Sequence, residues 1–194
     1  MTARFAPSFT RKLAAALAAL VLATTPLQAE PFFPPGTFDN FVEGWYSHQL
    51  TALEEQPIWQ GDAAKEVLRF TWLRTWGDPV AIRIEVTDGS ATLHLKSSDG
   101  EGGYEPGALV IDESRALSPA EFAEMRTRLD FFARCTTPPE VMPGLDGAQW
   151  IFEFRSGADY CLVEEWSPTS GPWRDAGVFL LTLAGYDVPE SDIY

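Results

Sequence analysis

Between positions 67 and 96 the hydrophobic residues recur at every second place. Leu68, Phe70, Trp72 and Trp76 share one parity and Arg69, Thr71 and Thr75 the other; Val80, Ile82, Ile84 and Val86 repeat the pattern. A period of two marks a half-buried strand. Asp88-Gly89 predicts a two-residue hairpin turn, because both of its central positions require positive φ. That turn sets Val86 opposite Ala91, Ile84 opposite Leu93 and Ile82 opposite Leu95. All three pairs are apolar, so they support one register. A three-residue loop at Gly77-Asp78-Pro79 brings Leu68, Phe70 and Trp72 to the same face and predicts an antiparallel meander. An acidic loop over 97–107, read as flexible, leads to a further strand at 108–111. A second hairpin pairs 149–154 with 160–166 around Gly157-Ala158, placing Phe154 opposite Cys161, Phe152 opposite Val163 and Trp150 opposite Glu165.

Three segments carry the helical period. Thr37 is the expected cap of a helix reaching about residue 54, with Phe38, Phe41, Val42, Trp45, Leu50 and Leu53 as its apolar stripe. Ser118-Pro119-Ala120-Glu121 combines a capping serine, an initial proline and a glutamate at the third helical position, which predicts a capping box and a helix to about residue 135. Pro172 opens a last helix over 173–184, stopped by Gly185. Strands interspersed with a few helices, without β-α-β alternation, give an α+β domain: a twisted antiparallel sheet with about three helices packed mainly on one face.

The first 29 residues follow a different rule. Arg4, Arg11 and Lys12 precede an unbroken Leu/Ala/Val run over 13–23, and Pro26 to Ala29 supply a breaker and a small residue. This is the order of a secretory signal, and the apolar run is short of the roughly 20 residues a membrane span needs. The expectation is therefore a signal peptide over 1–29 and a single soluble domain over 30–194, periplasmic or secreted, with no membrane span after cleavage. The whole chain has 14 Lys+Arg against 28 Asp+Glu. The signal holds three of the bases and no acid, so cleavage takes the net charge from −14 to −17. That balance argues against nucleic-acid binding. In an oxidising compartment Cys135 and Cys161 are expected to form a disulfide, the more so because Cys161 falls on the apolar face of its hairpin.

Catalytic signatures such as G-x-S-x-G, H-E-x-x-H, a phosphate loop or G-x-G-x-x-G are missing from the sequence. No cofactor is implied. The loop Asp99-Gly-Glu101-Gly-Gly-Tyr104-Glu105 is a weak calcium candidate, with oxygen ligands but without EF-hand spacing. Glu164 and Glu165 are adjacent on a strand, point to opposite faces and make no catalytic couple. The grouping of the scarce cations is more informative. The hairpin register sets Arg83 opposite His94, with Lys96 and Arg69 on the same face, away from the apolar pairs. Such a row suits a small anionic ligand or an acidic protein partner. Arg74 has inward parity and needs a carboxylate such as Glu165, a place at the sheet's rim, or a ligand in an aromatic-walled cleft. Trp45, Trp72, Trp76 and Trp150 all fit core positions.

The segments at 70–76 (FTWLRTW), 102–107 (GGYEPG), 144–150 (GLDGAQW) and 166–168 (WSP) resemble those of uncharacterised exported bacterial proteins. The likeness implies one exported domain and brings no activity, cofactor or catalytic residue. The function expected from the sequence is that of a binding or interaction module, such as an inhibitor, an immunity-type protein or an envelope accessory protein. The alternatives are a small periplasmic hydrolase and a calcium-binding envelope protein.

Overall fold

A computed structural model describes Thr2, residues 30–130, Phe132 and residues 146–194. Apart from Thr2, the segment read as an export signal lies outside the described residues, and so does Cys135. The described chain is α+β, with helix α1 (Asn40–Ala52), strands β1 (Glu66–Arg74), β2 (Val80–Thr87), β3 (Ser90–Ser98) and β4 (Leu109–Ala116), helix α2 (Pro119–Arg128), strands β5 (Ala148–Ser156) and β6 (Asp159–Trp166), and helix α3 (Pro172–Ala184). The strands form one antiparallel sheet in the order β4-β3-β2-β1-β5-β6. Among the described residues no helix is long and apolar enough to cross a membrane.

Local chemistry sets the registers. Asp88 and Gly89 take φ of 50° and 76°, and Val86, Ile84 and Ile82 pair with Ala91, Leu93 and Leu95. Leu68, Phe70 and Trp72 then fall opposite Ile84, Ile82 and Val80. The second hairpin pairs Phe154 with Cys161, Phe152 with Val163 and Trp150 with Glu165. It docks through β5 on the free side of β1, where Phe70 meets Phe152 and Trp72 meets Trp150. β1 is thus central, and all its residues except the two at its ends are buried.

One face of the sheet is apolar. Leu68, Phe70, Trp72, Ile82, Leu93, Trp150 and Phe152 pack there beneath Met125 and Leu129 of the α2 segment and Ala176, Leu180 and Leu181 of α3. α3 rests on the sheet through Gly177, where an added Cβ would come within 2.0 Å of the Trp150 ring. The indoles of Trp72 and Trp150 both donate to the backbone oxygen of Tyr194, at 3.4 and 2.8 Å. Ser118 and Glu121 form the expected capping box, and Gly185 ends α3 in the left-handed conformation.

The opposite face carries α1, through a cluster of Phe33, Tyr46, Leu50, Leu73, Ile151 and Leu162. The helix differs from the expected one in its cap and at Phe41, while Phe38, Val42, Trp45, Leu50 and Leu53 are buried or packed on the core as expected. Asp39, not Thr37, accepts from the amides of Phe41 and Val42 at 2.8 and 2.9 Å. Phe41 is 79% exposed, while Tyr46, Gln49 and Leu50 face the sheet. Tyr and Gln are core residues here because each reaches an internal acceptor: the Tyr46 hydroxyl donates to Glu164, and Gln49 Nε2 to the carbonyl of Tyr104 at 2.9 Å.

Candidate functional site

The row of cations anticipated from the register exists. Arg69 pairs with Arg83 across β1 and β2, and Arg83 with His94 across β2 and β3. Its surroundings hold more carboxylates than the hairpin alone reveals. β5 places Glu153 directly beside Arg69, and the chain leaving α1 brings in Glu55. Arg69 is fully buried. Its Nε donates to Glu153 at 2.7 Å, Nη2 to the same oxygen, and Nη1 to Glu55 at 3.4 Å and to the Gln56 carbonyl at 2.8 Å. Arg83 joins Glu55 at 3.1 Å and also contacts Glu85, whose other oxygen is 3.1 Å from Lys65. Lys96, also buried, donates to the Glu54 carbonyl at 2.8 Å. The Tyr160 hydroxyl donates to the free oxygen of Glu153 at 2.9 Å.

Electrostatics follow from this burial. Desolvation pulls the Arg69 pKa down, but the adjacent Glu153 and Glu55 carboxylates outweigh it and hold the guanidinium above its ordinary range. Burial and then the charge of Arg83 push His94 below its usual 6.5, so the imidazole is neutral at neutral pH. Burial raises the Glu164 carboxyl, opposed by the Tyr46 hydroxyl that donates to it. Arg69, Arg83 and Lys96 fasten the segment after α1 to the sheet.

Arg74 sits at the rim. Half-buried at the end of β1, its guanidinium lies 4.4 Å over the Trp72 ring, and among the described residues it makes no ion pair, to Glu165 or to any other acid. The calcium candidates do not converge. The Asp99 carboxylate accepts from the Ala108 amide at 2.7 Å, Glu101 and Glu105 are exposed, and among the described residues no three His, Cys, Asp or Glu side chains could hold a metal.

The acidic loop is the part of the chain whose reading changes most. It is tied to its neighbours at several points. The Gly102 and Gly103 amides donate to the carbonyls of Gly77 and Arg74 at 2.9 and 3.1 Å, tying the loop to the turn after β1. From α1, Trp45 Nε1 donates to the Gly102 carbonyl at 2.8 Å, and the fully buried Gln49 holds Tyr104. The glycines are required by close approach: a Cβ at Gly102 would sit 2.7 Å from Leu73 Cα and one at Gly103 2.9 Å from Thr75 Cα. The loop holds Tyr104, 53% exposed, against Trp76, 60% exposed, with ring centroids 5.0 Å apart. Trp76 is therefore not the core residue its parity suggests, because β1 ends at Arg74 and the chain turns away. Its indole donates to Asp146 at 3.1 Å, which fixes the ring. Alternation alone could not reveal this pair; the glycine spacing around Tyr104 is its only sequence signal.

No protein-family model matches this chain, and comparison with curated protein sequences finds no match either.

Proposed function

We propose that this protein is an exported binding or interaction module, non-catalytic, whose recognition surface is the loop end of the sheet around Trp76 and Tyr104. One observation carries the reading: two large aromatic side chains are left exposed, in contact, on a loop that four hydrogen bonds and two close-packed glycines hold rigid. Exposed apolar surface is retained at a cost in solubility, and a rigid frame lowers the entropy lost on binding. The charged groups of the α1 side of the sheet, which have catalytic potential, are bound to one another and to backbone carbonyls. That supports a structural role for them.

The reading is tested by placing a photo-crosslinking residue at Tyr104 and, separately, at Val110, another exposed apolar position, 56% accessible, on edge strand β4. After expression with the leader in a bacterial host and irradiation of the periplasmic fraction, discrete adducts from position 104 and none from 110 are expected. Equal labelling from both, or none from 104, contradicts it.

A further inference from the structure

We infer that the occupant of the Trp76–Tyr104 surface is a cationic segment of a partner protein, which sets an arginine or lysine side chain over the two rings. This rests on the reading above and adds the chemistry of the partner. The rings do not stand on neutral ground. The Gly102–Gly77 and Gly103–Arg74 hydrogen bonds join the two loops, so Asp78, next to Gly77, and Glu101, next to Gly102, lie where the loops meet. Asp146 accepts from the Trp76 indole, and Glu105 is next to Tyr104. Asp78, Glu101, Glu105 and Asp146 are all exposed.

Arg74, the single cation of this loop cluster among the described residues, is already laid over Trp72 beneath it. A neutral ligand stacking on the rings brings no charge to offset the partial desolvation of these carboxylates. A guanidinium or ammonium gains from both components, since a cation within about 6 Å of an indole or phenol face is attracted by the ring quadrupole. Carboxylates at the margin add charge complementarity that speeds encounter and is screened by salt. The chain's net charge of −14 acts in the same sense at longer range. Backbone fixing of Tyr104 and the Trp76–Asp146 hydrogen bond mean that the rings need no reordering when the cation arrives.

Three peptide-sized probes distinguish the sources of any binding: blocked tetra-arginine, its neutral isostere tetra-citrulline, and cellotetraose as an uncharged stacking ligand. The readout is the set of indole and backbone N–H resonances of the purified full-length exported protein. Tetra-arginine is expected to shift the Trp76 indole and Tyr104 amide signals, while the other two leave them in place. The Trp76→Ser/Tyr104→Ser variant, checked by circular dichroism for native folding, should weaken tetra-arginine binding roughly tenfold, since each exposed ring contact is worth about two- to fivefold. Glu101→Gln/Glu105→Gln should weaken it by a smaller factor and flatten its salt dependence.

Shifts from citrulline or cellotetraose without shifts from arginine overturn the cationic assignment, yet leave the surface as a binding site. Arginine shifts spread equally along the acidic edge at Asp112 and Glu113 overturn it as well, because they report general attraction to an acidic protein. A silent surface with all three probes, together with no crosslinking from position 104, removes both the assignment and the reading beneath it.

Discussion

On one side of β1, Phe70 stacks on Phe152 with centroids 4.7 Å apart, under apolar side chains of α2 and α3. One residue further back, on the other side, Arg69 is equally inaccessible, and each of its guanidinium nitrogens donates to Glu153, Glu55 or a carbonyl. The apolar face needs only shape and volume, whereas the charged face needs each partner at its place. An apolar contact can be replaced by another of similar size, but a buried charge tolerates no vacancy. Glu55 and Gln56 come from the chain after α1, and Glu153 from the distant second hairpin, so the charged row ties together segments far apart in sequence. Its chemistry is spent on that task.

Removing one member from each face should cost similar amounts for different reasons. Phe70→Ala leaves a cavity and is expected to lower stability by about 3–5 kcal/mol. Arg69→Met strands Glu153 in a buried site and should lower it by about 3–5 kcal/mol as well. Repair separates the two. Adding Glu153→Leu to Arg69→Met should recover most of the loss, since a buried ion pair exchanged for apolar residues is often neutral or stabilising. Urea unfolding of the single and double variants measures this. A double variant as unstable as Arg69→Met would mean that the pair contributes specific structure that apolar packing cannot supply.

A smaller effect comes from pH, and two groups of the charged face contribute to it with opposite signs. Burial raises the Glu164 pKa above its usual 4.5, so the folded protein holds that proton more tightly than the unfolded chain. Its contribution to stability is greatest in acid and falls as pH rises from 4.5 through the raised value. His94 runs the other way. With a folded pKa below 6.5, it loses stability as pH drops below 6.5 toward that lowered value. Thermal melts between about pH 4 and 7 should show Glu164→Gln removing the fall and His94→Gln removing the rise; a slope unchanged in either variant assigns it to other groups.

Much of the apolar face was legible in the sequence. Asp88-Gly89 and the alternation on either side fixed three pairings, and the capping box at Ser118 and the stop at Gly185 marked helix ends. Legibility failed where residues act out of type. Tyr46 and Gln49 look like the polar side of α1, yet they face the sheet because Glu164 and the Tyr104 carbonyl await them. Trp76 has the parity of a core residue, but its strand has already ended. Arg69, Arg83 and Lys96 were found as a group from the register. That they are internally neutralised was not visible, because Glu55 and Glu153 are brought in by segments outside the meander. β4 runs on to Ala116, past the residue 111 expected, since Asp112, Glu113 and Arg115 are tolerated on an exposed edge, where charge deters pairing with other chains. Cys161 lies opposite Phe154 as expected. Its proposed bridge to Cys135, which lies outside the described residues, is tested by non-reducing peptide mapping, where a 135–161 crosslinked peptide is expected and two free thiols would refute it.

Buried charges hold the fold and exposed rings are proposed to meet a partner, and one pair of variants tests that division. Tetra-arginine affinity and melting temperature are measured for Arg69→Met/Glu153→Leu and for Trp76→Ser/Tyr104→Ser. The first should keep its affinity within about twofold while its melting temperature responds. The second should lose about tenfold in affinity with a melting temperature within about 2 °C of the parent. The reverse result, binding lost with the buried pair and retained without the rings, would contradict the division.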